Sequence, residues 1–168
     1  MQTAIYRALS RINLQFIRPD DVPGIEHEEP EASHNLLLSP ENQRQACIFV
    51  VDDEEAIRDV ICEMLSWAGY ECQAFAGGRD ALAALETGER CELLLTDLLN
   101  ALMDGETLLK CMKKQFPTIP VVVATAVHDD FAERDCIQNG AYEYLREPFE
   151  RKQLLDVVHR ALKFRNSK

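Results

Sequence analysis

No apolar run in this 168-residue chain approaches the ~20 residues that a membrane-spanning helix requires. The N-terminus has no continuous apolar stretch of the kind a secretory signal carries. Positive charge is scarce. Lys and Arg number 18 against 29 Asp and Glu, a formal net charge of −11, which speaks against a nucleic-acid surface, because phosphate binding is driven by clustered cations that release counterions. The six cysteines, Cys47, Cys62, Cys72, Cys91, Cys111 and Cys136, include no pair closer than ten residues, so no CxxC motif is available for zinc or redox chemistry. Reduced, mostly buried thiols in a cytoplasmic protein are the expectation.

What is present is enough apolar matter for a core: 46% of residues are hydrophobic, a globular proportion. One stretch is unusual. Phe49 to Glu55 reads FVVDDEE, three apolar residues followed by four acids, and two carboxylates ~4 Å apart repel by roughly 4 kcal/mol even at an effective dielectric near 20. The acids must therefore splay apart or meet a cation.

Composition divides the chain near residue 46. Residues 1–19 carry Arg7, Arg11 and Arg18 and no acid before position 20, with Ile5, Leu9, Ile12 and Phe16 at helical spacing, so a short basic amphipathic segment is expected. The acidic PDDVPGIEHEEPEASH that follows is interrupted by Pro19, Pro23, Gly24 and Pro30 and reads as a linker. Residues 1–45 are thus expected to be a weakly ordered extension and residues 46–168 a folded domain.

In that domain the apolar runs CIFVV, ELLL and PVVVATA, with the weaker ECQAF and EYL, alternate with amphipathic stretches. Continuous apolar strands suit a parallel sheet buried on both faces. Helices are predicted over 54–68, 77–86, 106–116, about 130–139 and 149–164, with Gly69, Gly88 and Pro117 as stop signals. Five strands and five helices, strand first, predict an α/β doubly wound, flavodoxin-like (βα)5 fold with strand order 2-1-3-4-5.

In such a fold ligands lie beyond the carboxyl ends of the strands. Those ends carry Asp52-Asp53, Asp97, Thr125-Ala126 and Arg146-Glu147-Pro148. Singly, each acid reads as a helix cap and the threonine as a turn residue. Together, three acids and a hydroxyl at one sheet edge suit a hard divalent cation, Mg²⁺, that keeps several waters. Asp97 beside such an ion is a competent nucleophile toward a phosphoryl group, Thr125 could donate to a phosphoryl oxygen, and the small Ala126 leaves room for it. Glu54 and Glu55 fall in the first helical turn, where the dipole favours them.

VVDDE at 50–54, TDLLNALMDG at 96–105, VVVATA at 121–126 and GAYEYLREPF at 140–149 together resemble the receiver domains of two-component response regulators, over residues 47 to about 165. The resemblance implies that Asp97 accepts a phosphoryl group from a histidine kinase or phosphotransfer protein. It implies Mg²⁺ held by Asp52, Asp53, Asp97 and the backbone carbonyl of Leu99, with Thr125 and Tyr144 as the switch pair. The fourth helix, fifth strand and fifth helix would then carry the readout to a downstream protein or a second copy of the chain. Since the chain ends at Lys168 without a further folded unit, a stand-alone receiver without direct DNA binding is expected.

Two positions depart from the family pattern. Asn100-Ala101 replaces Met-Pro, which is expected to free the loop after Asp97. Glu147 stands where the family has the lysine that pairs with the phosphoacceptor, and it is expected to turn away from the acidic site. Arg146, one residue earlier on the strand, should face the opposite side, and the resemblance implies a cis Glu147–Pro148 bond. Two readings follow: a phospho-accepting switch, or a receiver-shaped interaction module independent of Asp97 phosphorylation. An aspartyl-phosphate hydrolase would need an acid two residues after Asp97, where Leu99 stands, so the chain is not read as an enzyme. Leu99 and Val127 would flank the path of water to an acyl phosphate, which predicts slow dephosphorylation.

Overall fold

A computed structural model describes residues 45–167; the basic segment and linker lie outside them. The described residues form β1 (Cys47–Val51), α1 (Glu55–Trp67), β2 (Glu71–Phe75), α2 (Gly78–Glu86), β3 (Leu93–Thr96), α3 (Gly105–Gln115), β4 (Val121–Thr125), α4 (Asp130–Gln138), β5 (Glu143–Arg146) and α5 (Arg151–Asn166). The strands are all parallel in the order β2-β1-β3-β4-β5, as the alternation of strand and helix predicts. Element bounds fall within about two residues of the spacing-based reading, the usual uncertainty at helix ends.

Side-chain alternation builds two cores on this sheet. Ile48, Val50, Leu93, Leu95, Val122, Ala124 and Leu145 face one way and bury Ile57, Ile61 and Leu65 of α1 and Leu154, Val157 and Val158 of α5. Cys47, Phe49, Val51, Leu94, Val121, Val123 and Tyr144 face the other way, against α2, α3 and α4 through Ala81, Leu85, Leu108, Leu109, Met112 and Cys136. Because both faces are covered, β1, β3 and β4 are buried along their whole length and read as unbroken apolar runs. Each fully buried Leu, Ile or Phe contributes roughly 1.5–3 kcal/mol relative to exposure. The edge strand β2 is only half covered, which explains its weak sequence signal.

Caps and turns follow ordinary chemistry. Asp104 accepts from Thr107 N at 2.8 Å and starts α3; these hydrogen bonds also hold its carboxyl below the usual range. Asp129 accepts from Phe131 N at 3.0 Å and starts α4. Gly69, after α1, has φ +85°, a left-handed C-terminal conformation that costs a side chain ~1 kcal/mol or more.

The thiols differ from expectation. Cys62 on α1 and Cys72 on β2 are joined as a disulfide, Cα to Cα 5.6 Å, while Cys47, Cys91, Cys111 and Cys136 are free. Sequence spacing excludes a CxxC motif but does not register that ten residues bring a helix position and a strand position together.

Candidate functional site

The parallel register fixes which strand ends meet. Val51 pairs with Thr96, Thr96 with Val123, and Thr125 with Arg146. The next residues out, Asp52, Asp97 and Glu147, therefore lie along one edge. Asp97 N donates to Val51 O at 3.1 Å, which ties the two aspartates' strands together at the point where the carboxylates emerge. Asp52 and Asp97 are both buried, 3% and 6% exposed.

Each is held by its own turn. Asp52 Oδ1 accepts from Glu54 N at 2.8 Å, the Asp52 carbonyl accepts from Arg58 Nη1 at 2.6 Å, and Asp52 N donates to Phe75 O at 3.2 Å. Asp97 Oδ1 accepts from Leu99 N at 3.2 Å. Asp53 is exposed at the rim. Glu54 precedes α1 as its N-cap and Glu55 opens it, so the four consecutive acids separate: one buried, one at the rim, two at a helix start where the dipole favours negative charge.

Glu147 does not turn away. It is buried, 3% exposed, and lines a cavity of about 10 Å³ with Asp52, Asp97, Thr96, Val50, Leu95, Ala124 and Ile61, room for about one water molecule. Parity supplies the reason. Val50, Leu95, Ala124 and Leu145 all face the α1/α5 side, and two residues further along each strand come Asp52, Asp97, Ala126 and Glu147, which alternation sends to that same side. The backbone secures this placement, since Glu147 N donates to Thr125 O at 2.9 Å and the Glu147 carbonyl meets His128 Nε2. The Glu147–Pro148 bond is cis, as the resemblance implies.

Arg146 has the opposite parity and is exposed. It reaches α4, where Nε contacts Glu133 Oε2 at 3.0 Å and the guanidinium also pairs with Asp130. It is not among the residues that line the cavity.

Thr125 is fully buried and its Oγ1 accepts from Val127 N at 3.4 Å, with Ala126 exposed beside it. Tyr144 is turned inward, 7% exposed, and its hydroxyl donates to Val127 O at 2.8 Å. Burial pushes its phenol up to about 12, so it remains a neutral donor at any working pH. Thr125 and Tyr144 thus both contact Val127, in the loop between β4 and α4. Leu99 is 65% exposed with Val127 half-buried, so apolar side chains stand on both loops at the mouth.

Asn100 runs against the expectation of a freed loop. Rather than freeing the loop, it is buried and stitches it: Nδ2 donates to Ala76 O at 2.9 Å, and Oδ1 accepts from Leu102 N at 2.9 Å and Met103 N at 3.2 Å. Only the local half, the Oδ1 bonds to Leu102 and Met103, is legible in sequence, because an Asn side chain imitates a backbone turn two residues on. Asn100→Ala is expected to lower stability by about 1–3 kcal/mol, the cost of leaving buried polar groups unpaired, and to loosen the loop that carries Asp97. Urea unfolding with an unchanged m-value checks the first effect; an unaltered midpoint would show that the stitch is idle.

The donor set fits Mg²⁺ in a limited way. Among the described residues no three His, Cys, Asp or Glu side chains group closely enough to enclose a metal ion. Mg²⁺ is commonly held by only one or two carboxylates with several waters, and Asp52 and Asp97, with the Leu99 carbonyl and Asp53 at the rim, match that requirement in oxygen chemistry.

Comparison with known proteins agrees with this geometry. Residues 48–159 match the family described as "Response regulator receiver domain". The DNA-binding transcriptional regulator NtrC of Proteus hauseri is 39% identical over 115 residues, which are 68% of this chain and 24% of that protein. The chain thus spans about a quarter of the length of the curated relatives it matches. Among solved structures, the receiver domain of NtrX from Brucella abortus is 35% identical, with a TM-score of 0.65 over 69% of this chain and 98% of that one. A CheY-like receiver domain protein from Methanospirillum hungatei is 27% identical, with a TM-score of 0.69 over 73% and 98%.

Proposed function

The chain belongs to the response regulator receiver family, and from that premise we propose that it accepts a phosphoryl group on Asp97 from the phosphohistidine of a histidine kinase or phosphotransfer protein. The observation that carries this is the buried side-by-side placement of Asp52 and Asp97 at the ends of the hydrogen-bonded strands β1 and β3. In the reaction a carboxylate oxygen of Asp97 attacks phosphorus, the P–N bond of the donor breaks, and the imidazole leaves with the bond's electron pair. Mg²⁺, when bound by Asp52, Asp53, Asp97 and the Leu99 carbonyl, would supply neutralisation of the charge on the transferring oxygens.

The chain's own residues would do the rest. The Leu99 N–H bond orients the Asp97 carboxylate, Ala126 leaves space, and Leu99 and Val127 limit the approach of water. Thr125 and Tyr144, both tied to Val127, would pass the change at Asp97 to the α4–β5–α5 face. Such a switch biases a pre-existing equilibrium by its different contacts in the two states. On this reading the domain is a cytoplasmic relay element rather than an enzyme acting on its own substrate. Its output goes to a downstream protein, to a second copy through α4, β5 and α5, or to an output domain of the DNA-binding kind named in its relatives.

Incubation with acetyl phosphate and Mg²⁺, followed by intact mass, tests the proposal. One added phosphoryl group is expected on the parent chain and none on Asp97→Asn, with slow loss of the label afterwards. Absence of label on the parent under conditions that label a competent receiver would overturn it. A second reading, a receiver-shaped module whose output does not depend on phosphorylation, is favoured by one observation: Glu147 is buried beside Asp97 where a cation would assist. Failure of labelling, with partner binding retained by Asp97→Asn, would establish that alternative.

A further inference from the structure

Asp52 is held by two elements at once. From α1, Arg58 Nη1 donates to its carbonyl at 2.6 Å; from β2, the Phe75 carbonyl accepts its N–H at 3.2 Å. Cys62 lies one helical turn after Arg58, on the same stripe of α1, and Cys72 lies three residues before Phe75 on β2. The Cys62–Cys72 bridge therefore joins the same two elements that secure the Asp52 backbone.

Three features bear on this pair. Both cysteines are half-buried, as is Cys111, whereas Cys47, Cys91 and Cys136 are buried, and burial pushes the Cys91 and Cys136 thiols up to about 12 and about 11, which leaves little reactive thiolate. Next, β2 is an edge strand with no fully buried position, and poorly covered elements open at the lowest free-energy cost. Last, Cys62 and Cys72 both pack on the rim of the α1/α5 core, so the reduced thiols remain neighbours and can close again.

We propose that Cys62 and Cys72 form a redox-convertible clamp between α1 and β2 that sets the rigidity of the turn carrying Asp52 and Asp53. The oxidant is a low-molecular-weight disulfide such as oxidised glutathione. One protein thiolate attacks it, releasing a glutathione thiol, and the second protein thiolate then displaces the other glutathione. Overall one S–S bond breaks and one forms, and two protons and two electrons pass from the cysteines to glutathione. In the oxidised state the turn at Asp52 is braced from both sides. In the reduced state only hydrogen bonds and packing hold it. The clamp does not depend on phosphorylation of Asp97, so either idea can fail without the other.

The test equilibrates the full chain in glutathione mixtures from reducing to oxidising, traps free thiols by alkylation and maps the peptides by mass. Cys62 and Cys72 are expected to convert together into one linked peptide pair while the other four cysteines stay alkylated. Amide exchange at Asp52 and Glu54 is expected to slow by about fivefold or more in the oxidised form. The melting temperature is expected to rise by roughly 5–10 °C, as closure of a short loop predicts. Cys72→Ser should abolish the redox dependence of all three readouts; should that variant fold poorly, the oxidised and reduced parent forms still supply the comparison. Free Cys62 and Cys72 under fully oxidising conditions, pairing of either with another cysteine, or equal exchange at Asp52 and Glu54 in both forms would overturn the proposal.

Discussion

Replacing Glu147 with glutamine is expected to speed phosphorylation of Asp97 by roughly 10- to 100-fold while weakening Mg²⁺ binding by up to about tenfold. Glu147 lines the same cavity as Asp97 and Asp52 and is almost wholly buried. An incoming phosphoryl group brings negative charge. Unit charges about 6 Å apart at an effective dielectric near 20 repel by roughly 3 kcal/mol, which is about two decades in rate. Glutamine keeps the shape and removes the charge. A cation gains from each added carboxylate, so its affinity should move in the opposite direction. That opposition makes the experiment discriminating, because a variant that merely folds poorly would lose both activities. Glu147→Lys should raise the rate at least as much, since it also adds an attractive partner for the phosphoryl oxygens. The measurements are the time course of the mass shift with acetyl phosphate at saturating Mg²⁺, and a calorimetric Mg²⁺ titration. A rate in Glu147→Gln equal to the parent's would mean that the carboxylate is not felt at Asp97.

The architecture was legible in the sequence because its determinants are local and periodic. The short, β-branched runs CIFVV and VVVAT fit strands covered on both faces, and the stripes on α1 and α5 repeat at helical spacing. The aspartates were legible for the same reason, since the ends of buried parallel strands are where side chains become available to a ligand. Glu147 sits where strand alternation puts it: Arg146 faces α4, so the next residue faces the α1/α5 side. The expectation that a further negative charge avoids an already acidic site runs against that parity. The two chain-distant effects were beyond reach: the stitch from Asn100 to Ala76 and the bridge between Cys62 and Cys72 both depend on how neighbouring elements sit side by side. Strand spacing sets that arrangement, whereas one-dimensional patterns do not state it.

Gly105 illustrates how far the position of Asp97 depends on residues with no chemistry of their own. It opens α3 and its N–H donates to Leu98 O at 3.0 Å, folding the chain back against the end of β3. A methyl group at this α-carbon would stand 2.5 Å from the Asp97 carbonyl oxygen and 2.8 Å from Leu98 Cα. Both contacts are with backbone, so neither can be relieved by a rotamer change; either α3 or the Asp97 segment must move. Gly105→Ala is therefore expected to cost about 1–3 kcal/mol, the usual penalty of forced overpacking, even though alanine is the better helix former by ~1 kcal/mol. The functional loss should exceed the loss of stability. A displacement of about 1 Å in a reacting group can cost 10²-fold in rate, and the clash bears on the residue that carries the nucleophile. Phosphorylation slowed by about two decades in a variant that remains folded, judged by urea unfolding with a parental m-value, is the expected result. Parental rate and parental stability together would show that the β3–α3 loop has slack where the close approach of Gly105 to Asp97 indicates none.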